Sequence, residues 1–233
     1  MTERTEIRSA PGSDGTRLPR FGIFGGTFAP PHMGHVRAAE AFLRMLNPPG
    51  TEEEERAKLL IIPTATSPHK AMAEGDTPEA RLRMCRAAFG HLPDTEVSDY
   101  EIAKGGVSYT VLTLEHFAGA CRELWLLCGS DMFLTLGNWY RAADIFRLAR
   151  IAGISRGTGE KRILEAKRTE YEKRFGVSVA LLEDEPFPLS STEIRRRIAE
   201  DGDLDGLLPP GVTEIIRRDH LYEYGMNHGE TNA

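Results

Sequence analysis

The stretch Phe21–His35 restricts the fold more than any other part of the chain. It is an apolar run that breaks at Gly25-Gly26, passes Ala29-Pro30-Pro31 and reaches His32 and His35 where a helical period begins. Phe21 to Gly25 shows no apolar/polar alternation, which predicts a strand buried on both faces, as in a parallel sheet. From Gly34 onward, Val36, Ala39, Phe42, Leu43 and Leu46 recur at helical spacing. A strand, a glycine turn and a helix N-terminus in succession suit an anion. Glycine lets the backbone approach, and free N–H groups and the helix dipole favour negative charge. His32 and His35, three residues apart, can face one side and add donors that can become cationic.

The rest of the chain repeats this strand-to-helix alternation. Leu59–Ile62, 124–128, 151–154 and 177–182 read as further buried strands, and residues 95–104 as an edge strand. Helices are expected after Thr77-Pro78, with Thr77 as the N-cap and Leu82, Met84, Cys85 and Phe89 inward. More are expected over Tyr109–Ala120, over a stretch carrying Trp139-Tyr140, over a charged, exposed segment at 160–174, from Pro188 through Arg195, and after Pro210. The run Glu52–Glu55 reads as a solvated loop or helix start. The expected fold is a doubly wound parallel α/β sheet, in which ligands bind beyond the carboxyl ends of the strands. The unusual residues fall there: Gly25–His35, Thr64–Lys70, Gly129–Asp131 and Ser155-Arg156. The expected domain spans 20–225, with a flexible leader at 1–19 and a polar tail at 226–233.

Bulk properties narrow the class. The chain has 233 residues, 40% of them hydrophobic, enough for one large domain or two small ones. Its net charge of -6 argues against a general nucleic-acid surface, and against reading residues 191–218 as a helix-turn-helix. Cys85, Cys121 and Cys128 are scattered and lack C-x-x-C spacing, which fits buried thiols in a reducing compartment. No apolar segment is long enough to span a bilayer, and the first 20 residues carry no apolar signal core. The expectation is a soluble cytoplasmic protein, monomeric or homo-oligomeric, that binds neither membrane nor nucleic acid.

Several residues admit plain readings. His32 and His35 could be helix caps, or with His69 a metal group; no nearby carboxylate or cysteine has zinc-ligand spacing, and the phosphate reading is preferred. The turn is neither a Walker loop nor a G-x-G-x-x-G fingerprint. Ser190 or Ser191 with Glu193 reads as ordinary helix capping, and Arg196 and Arg197 as a solvated face. Trp139 reads as a core aromatic, and a Pro68-His69-Lys70 surface loop carries no meaning alone.

In combination these segments resemble a known family. Gly25-Gly26-Thr27-Phe28-x-Pro30-x-His32-x-Gly34-His35 is similar to the first signature of the nucleotidylyltransferase superfamily, and Ser190-Ser191-Thr192-Glu193-Ile194-Arg195 to its second. Pro68-His69-Lys70, Tyr109-Thr110, Gly129-Ser130-Asp131 and Trp139-Tyr140 narrow the resemblance to the bacterial nicotinate-nucleotide adenylyltransferases, over about residues 21–224. The resemblance implies a Rossmann-like nucleotidylyltransferase fold. It implies transfer of the adenylyl group of ATP to nicotinate mononucleotide, giving deamido-NAD and pyrophosphate in NAD biosynthesis. The attack is in line, without a covalent enzyme intermediate.

On this resemblance His32, His35 and Arg195 are catalytic. Gly25, Gly26, Thr27, Phe28, Gly129, Asp131, Arg156 and Ser191 join them in binding ATP. His69, Lys70, Tyr109, Thr110, Trp139 and Tyr140 bind the mononucleotide, with Trp139 stacked on the pyridine ring and the backbone near Tyr109 and Thr110 receiving the carboxylate. Mg²⁺ is expected on the ATP phosphates with few protein ligands, and no resident metal site is expected. The sequence departs from the family at Ala29, where an acidic residue or Asn is usual; Ala offers no side-chain hydrogen bond. The alternatives are another acceptor (nicotinamide mononucleotide, or phosphopantetheine, which Trp139-Tyr140 and the chain length disfavour) and a nucleotide-binding module without turnover.

Overall fold

Strands β1 (Leu18–Gly26), β2 (Lys58–Pro63), β3 (Thr95–Val97), β4 (Cys121–Gly129), β5 (Arg150–Ile154) and β6 (Val179–Leu182) form one sheet in the order β3-β2-β1-β4-β5-β6. Every neighbouring pair is parallel. The structure is a computed structural model that describes residues 18–67, 76–155, 157, 159–183 and 187–223. Helices α1 (Met33–Leu46), α2 (Pro78–Phe89), α3 (Tyr100–Lys104), α4 (Thr110–Phe117), α5 (Ser130–Thr135), α6 (Ala142–Leu148), α7 (Lys161–Phe175), α8 (Ser191–Ala199) and α9 (Pro210–Arg218) connect or follow the strands.

The unbroken apolar runs of the strands are explained by two cores, one on each face. Leu59 and Ile61 point into a core built with α1, α2, α8 and α9, whereas Leu60 and Ile62 point into another built with α4 to α7. Helix α1 lies close on β1 because Gly22 has no side chain: a Cβ there would stand 2.8 Å from the Phe42 ring and 2.9 Å from Leu46. The order reverses between β1 and β4, so a crevice opens at the ends of these two strands. Gly25-Gly26 and Gly129 end them.

Three expectations need correction. Residues 95–104 are not one strand: β3 stops at Val97, and α3 begins at Tyr100, whose N–H is accepted by the Ser98 hydroxyl. A strand there would leave Glu101 on an open edge; the helix buries it and its carboxylate accepts from the Thr113 hydroxyl at 2.6 Å. Trp139-Tyr140 is not helical. It lies between the 3-10 turn Leu136–Asn138 and α6, and the chain reverses at Arg141 in the left-handed region (φ 54°). Helix α7 is not simply exposed, because Leu164 and Tyr171 are buried, and the Tyr171 hydroxyl donates to Phe133 O and accepts from Gly137 N–H. Strand β1 also begins at Leu18, inside the expected leader. Run Glu53–Glu55 forms an exposed 3-10 turn, and the three cysteines are buried free thiols. Among the described residues no helix is long and apolar enough to cross a membrane.

Candidate active site

The chain leaves β1 at Gly26 and turns through Phe28 (φ 51°) and the cis Ala29–Pro30 bond into α1. His32 caps α1. His35, one turn on, accepts the His32 backbone N–H on Nδ1 at 3.2 Å, and the two rings stack with centroids 3.7 Å apart. An Nδ1 that accepts leaves the ring proton of a neutral His35 on Nε2. His35 is buried and held edge-on by Phe28 at 5.1 Å, and Phe24 lies 6.1 Å away. Phe28 itself is a core residue, packed on Phe24 and Phe89, so only its backbone is available to a ligand. Gly34 packs closely on His32: a Cβ there would stand 3.1 Å from the His32 ring, which would have to shift slightly to admit it.

Helix α8 closes this turn from the other side. The Ser190 hydroxyl caps it by accepting from Glu193 N–H at 3.1 Å. Ser191 is thereby free of the capping role: its hydroxyl donates to Pro30 O at 2.9 Å. Arg195 donates to Ala29 O at 2.7 Å. The two segments lie more than 160 residues apart in sequence and meet here. Ala29 is buried beneath Arg195 and takes part through its carbonyl, so this position serves α8 without a polar side chain. Arg196 and Arg197 point elsewhere, into ion pairs with Glu193 at 2.8 Å each.

Two hollows flank the end of β1. A small recess is lined by His32, His35, Gly129, Ser155 and Phe187. A larger cavity of about 410 Å³ is bordered by Gly25, Gly26, Thr27, Asp131, Tyr109, Thr110, Trp139 and Tyr140. Tyr109 and Tyr140 rings stand 4.8 Å apart at its mouth, and the Trp139 indole N–H donates to Thr135 Oγ1 at 3.2 Å, which orients the ring. Helix α4 starts at Thr110, so its N-terminal N–H groups and positive dipole end face this space. Glu101 forms part of the wall. Burial pushes its carboxyl up from the ordinary range, against the hydrogen bonds from Ser108 and Thr113 that pull it down.

Of the site residues expected from the sequence, His32, His35 and Gly129 line the small recess, Gly25, Gly26, Thr27, Asp131, Tyr109, Thr110, Trp139 and Tyr140 border the larger cavity, Ser191 and Arg195 reach the turn between them, and the Phe28 ring lies in the core. His69, Lys70 and Arg156 lie outside the described residues. Arg81 and Glu101 were missed by sequence reasoning. Arg81 has 0% exposure and donates to the carbonyls of Thr27, Thr64 and Ala65. One signal was available: Arg81 shares the stripe of Met84, Cys85 and Ala88, which is apolar everywhere else. Glu101 carried no such cue, because its helix is too short for a period.

The cytidylyltransferase-like family model matches residues 23–197. A Clostridium botulinum (strain Eklund 17B / Type B) protein named "probable nicotinate-nucleotide adenylyltransferase" is 32% identical over 206 residues, covering 88% of this chain and 99% of that protein. A Clostridium beijerinckii protein of the same name is 32% identical over 211 residues, covering 88% and 100%. Among solved structures, Plasmodium falciparum nicotinic acid mononucleotide adenylyltransferase complexed with NaAD superposes with a TM-score of 0.61 at 15% identity, over 88% of this chain and 98% of that one. At that identity it speaks for the fold alone. With a family model spanning both signatures and relatives aligned almost end to end, the chain belongs to the cytidylyltransferase-like nucleotidyltransferases, among the nicotinate-nucleotide adenylyltransferases.

Proposed function

We propose that the protein transfers the adenylyl group of ATP to nicotinate mononucleotide, releasing pyrophosphate and forming deamido-NAD. The observation that carries this reading is the meeting of the first turn with α8, through Ser191 on Pro30 O and Arg195 on Ala29 O, beside an aromatic cavity with a helix N-terminus in its wall. The mononucleotide phosphate attacks the α-phosphorus, the bond to the bridging oxygen breaks, and pyrophosphate leaves. Both reactants are anions, so positioning and neutralisation lower the barrier without a protein nucleophile. The His35 Nε2–H and the Arg195 guanidinium supply donors where charge collects on the leaving pyrophosphate. The Ser191 backbone N–H at the α8 N-terminus and the backbone of Gly25 to Phe28 hold the remaining phosphate oxygens, and Gly129 and Asp131 take the nucleotide's sugar side.

In the larger cavity Trp139 stacks on the pyridine ring, and the α4 N-terminus at Thr110 receives the carboxylate. That end of a helix favours a carboxylate over a neutral amide, which is why the acid is proposed over the amide mononucleotide. Among the described residues no group of three or more His, Cys, Asp or Glu is arranged to hold a metal ion. Mg²⁺ carried in on the triphosphate would neutralise phosphate charge, and Asp131, which borders the cavity with Gly26 and Thr27, is the carboxylate proposed to face it. A pyrophosphate-release assay with ATP, Mg²⁺ and nicotinate mononucleotide tests the proposal. Product formation is expected; tight ATP binding without release would favour a nucleotide-binding module instead.

A further inference from the structure

Arg81 touches neither hollow, yet it is the most thoroughly buried cation among the described residues. Nη1 donates to Thr27 O at 3.0 Å and to Thr64 O at 2.6 Å, and Nη2 donates to Ala65 O at 3.0 Å. Nε lies 3.3 Å from the buried Asp76 carboxylate, which also accepts from the Tyr222 hydroxyl at 3.4 Å. A guanidinium stays charged when buried, so its burial is tolerable only because the carboxylate and carbonyl dipoles surround it.

The three carbonyls come from two loops. Thr27 follows β1, in the turn given to the triphosphate. Thr64 and Ala65 follow β2, on the way to the acceptor side of the cavity. These strands are adjacent, with Gly26 opposite Pro63 in register, so the loops leave the sheet side by side. In a trans peptide the C=O and the next N–H point in opposite directions. A Thr27 carbonyl drawn onto Arg81 therefore turns the Phe28 N–H away from Arg81, next to Gly26 and Thr27, which border the cavity.

We infer that Arg81 is a positioning residue: its planar fork fixes the separation of the two loops that carry the reacting phosphates and aims the Phe28 N–H at the triphosphate. The inference rests on the adenylyltransferase reading above. Lysine cannot reproduce the arrangement, because a single ammonium has no fixed planar fork with which to span three carbonyls from two loops.

The test compares wild type with Arg81→Lys by amide NMR during titration with ATP alone, and by turnover per folded molecule. In wild type the Phe28 amide resonance shifts on ATP addition. In R81K that shift is largely lost, kcat falls by about 100-fold and KM for both substrates stays within about 3-fold. A merely structural Arg81 would lower the melting temperature while leaving the Phe28 shift and kcat per folded molecule unchanged, which overturns the inference. If R81K does not fold, Asp76→Asn, which keeps the side-chain shape and weakens the hold on Nε, is expected to lower kcat about 10-fold with KM unchanged; an unchanged kcat overturns the inference. A wild type that neither responds to ATP nor turns over overturns the adenylyltransferase reading and this inference with it. A wild type active in both assays beside an equally active R81K overturns this inference alone.

Discussion

His35 has two jobs at opposite ends of one ring. Nδ1 accepts the His32 N–H and caps α1, while Nε2 is left to donate toward phosphate. Two substitutions separate the jobs. His35→Asn can still accept the His32 N–H, so its melting temperature is expected near wild type while kcat drops about 100-fold or more. His35→Ala loses both functions and is expected to cost about 1 kcal/mol of stability besides. Thermal melts beside kcat measurements check the pair, and an Asn variant with near-normal turnover removes the catalytic role. Trp139 should act on binding more than on chemistry. Trp139→Ala is expected to raise KM for the mononucleotide about 10-fold or more, with a smaller change in kcat, since stacking is made equally in ground and transition states. A change in KM for ATP alone would contradict that assignment.

At the scale of elements, the strands that enter the core from both faces could be read from the sequence because burial on two sides leaves an unbroken apolar run, as at Leu59–Ile62. The glycine turn and the α8 N-terminus could be read because their residue types are demanded by backbone approach and capping. Short elements could not. Helix α3 has five residues, too few for a period, and its defining feature is a buried acid that sequence patterning assigns to solvent. The Trp139 segment differs from the expected helix because flanking helical patterns run together in sequence, whereas the backbone breaks at the extended Trp139 and the left-handed Arg141. That loop is pinned from α7 by Tyr171, whose hydroxyl serves two backbone groups. Tyr171→Phe should therefore cost about 1–3 kcal/mol in denaturant unfolding, by leaving Gly137 N–H and Phe133 O unsatisfied.

Glu101 makes a pH prediction. Burial raises its carboxyl pKa in the folded state above the unfolded value, so between those two values folding must take up a proton. Stability from this group is therefore intact at and below the unfolded pKa of about 4.3 and declines as pH rises toward the folded pKa. Glu101→Gln keeps an acceptor for the Thr113 hydroxyl and removes the charge. Melting temperatures are expected to coincide near the acid end of that window, with the Gln variant gaining steadily as pH rises. A variant that is less stable at neutral pH would show that the buried charge is compensated more fully than its surroundings suggest.

For the molecule as a whole, the strand order places the site. The reversal between β1 and β4 opens one crevice. Gly25-Gly26 at the end of β1 border a cavity with the α4 and Trp139 segments, Gly129 at the end of β4 lines the recess beside the histidines, and the α8 N-terminus from the far end of the chain is bonded to the turn that follows β1. A chain of net charge -6 thus joins two anions by concentrating donors at one point of an otherwise acidic molecule. The most direct measurement incubates the purified protein with ATP and Mg²⁺ and either the acid or the amide mononucleotide, and follows pyrophosphate and dinucleotide together. The account predicts stoichiometric pyrophosphate and deamido-NAD from the acid, at a rate about 10-fold or more above that with the amide. No dinucleotide from the acid, or faster turnover of the amide, would contradict it.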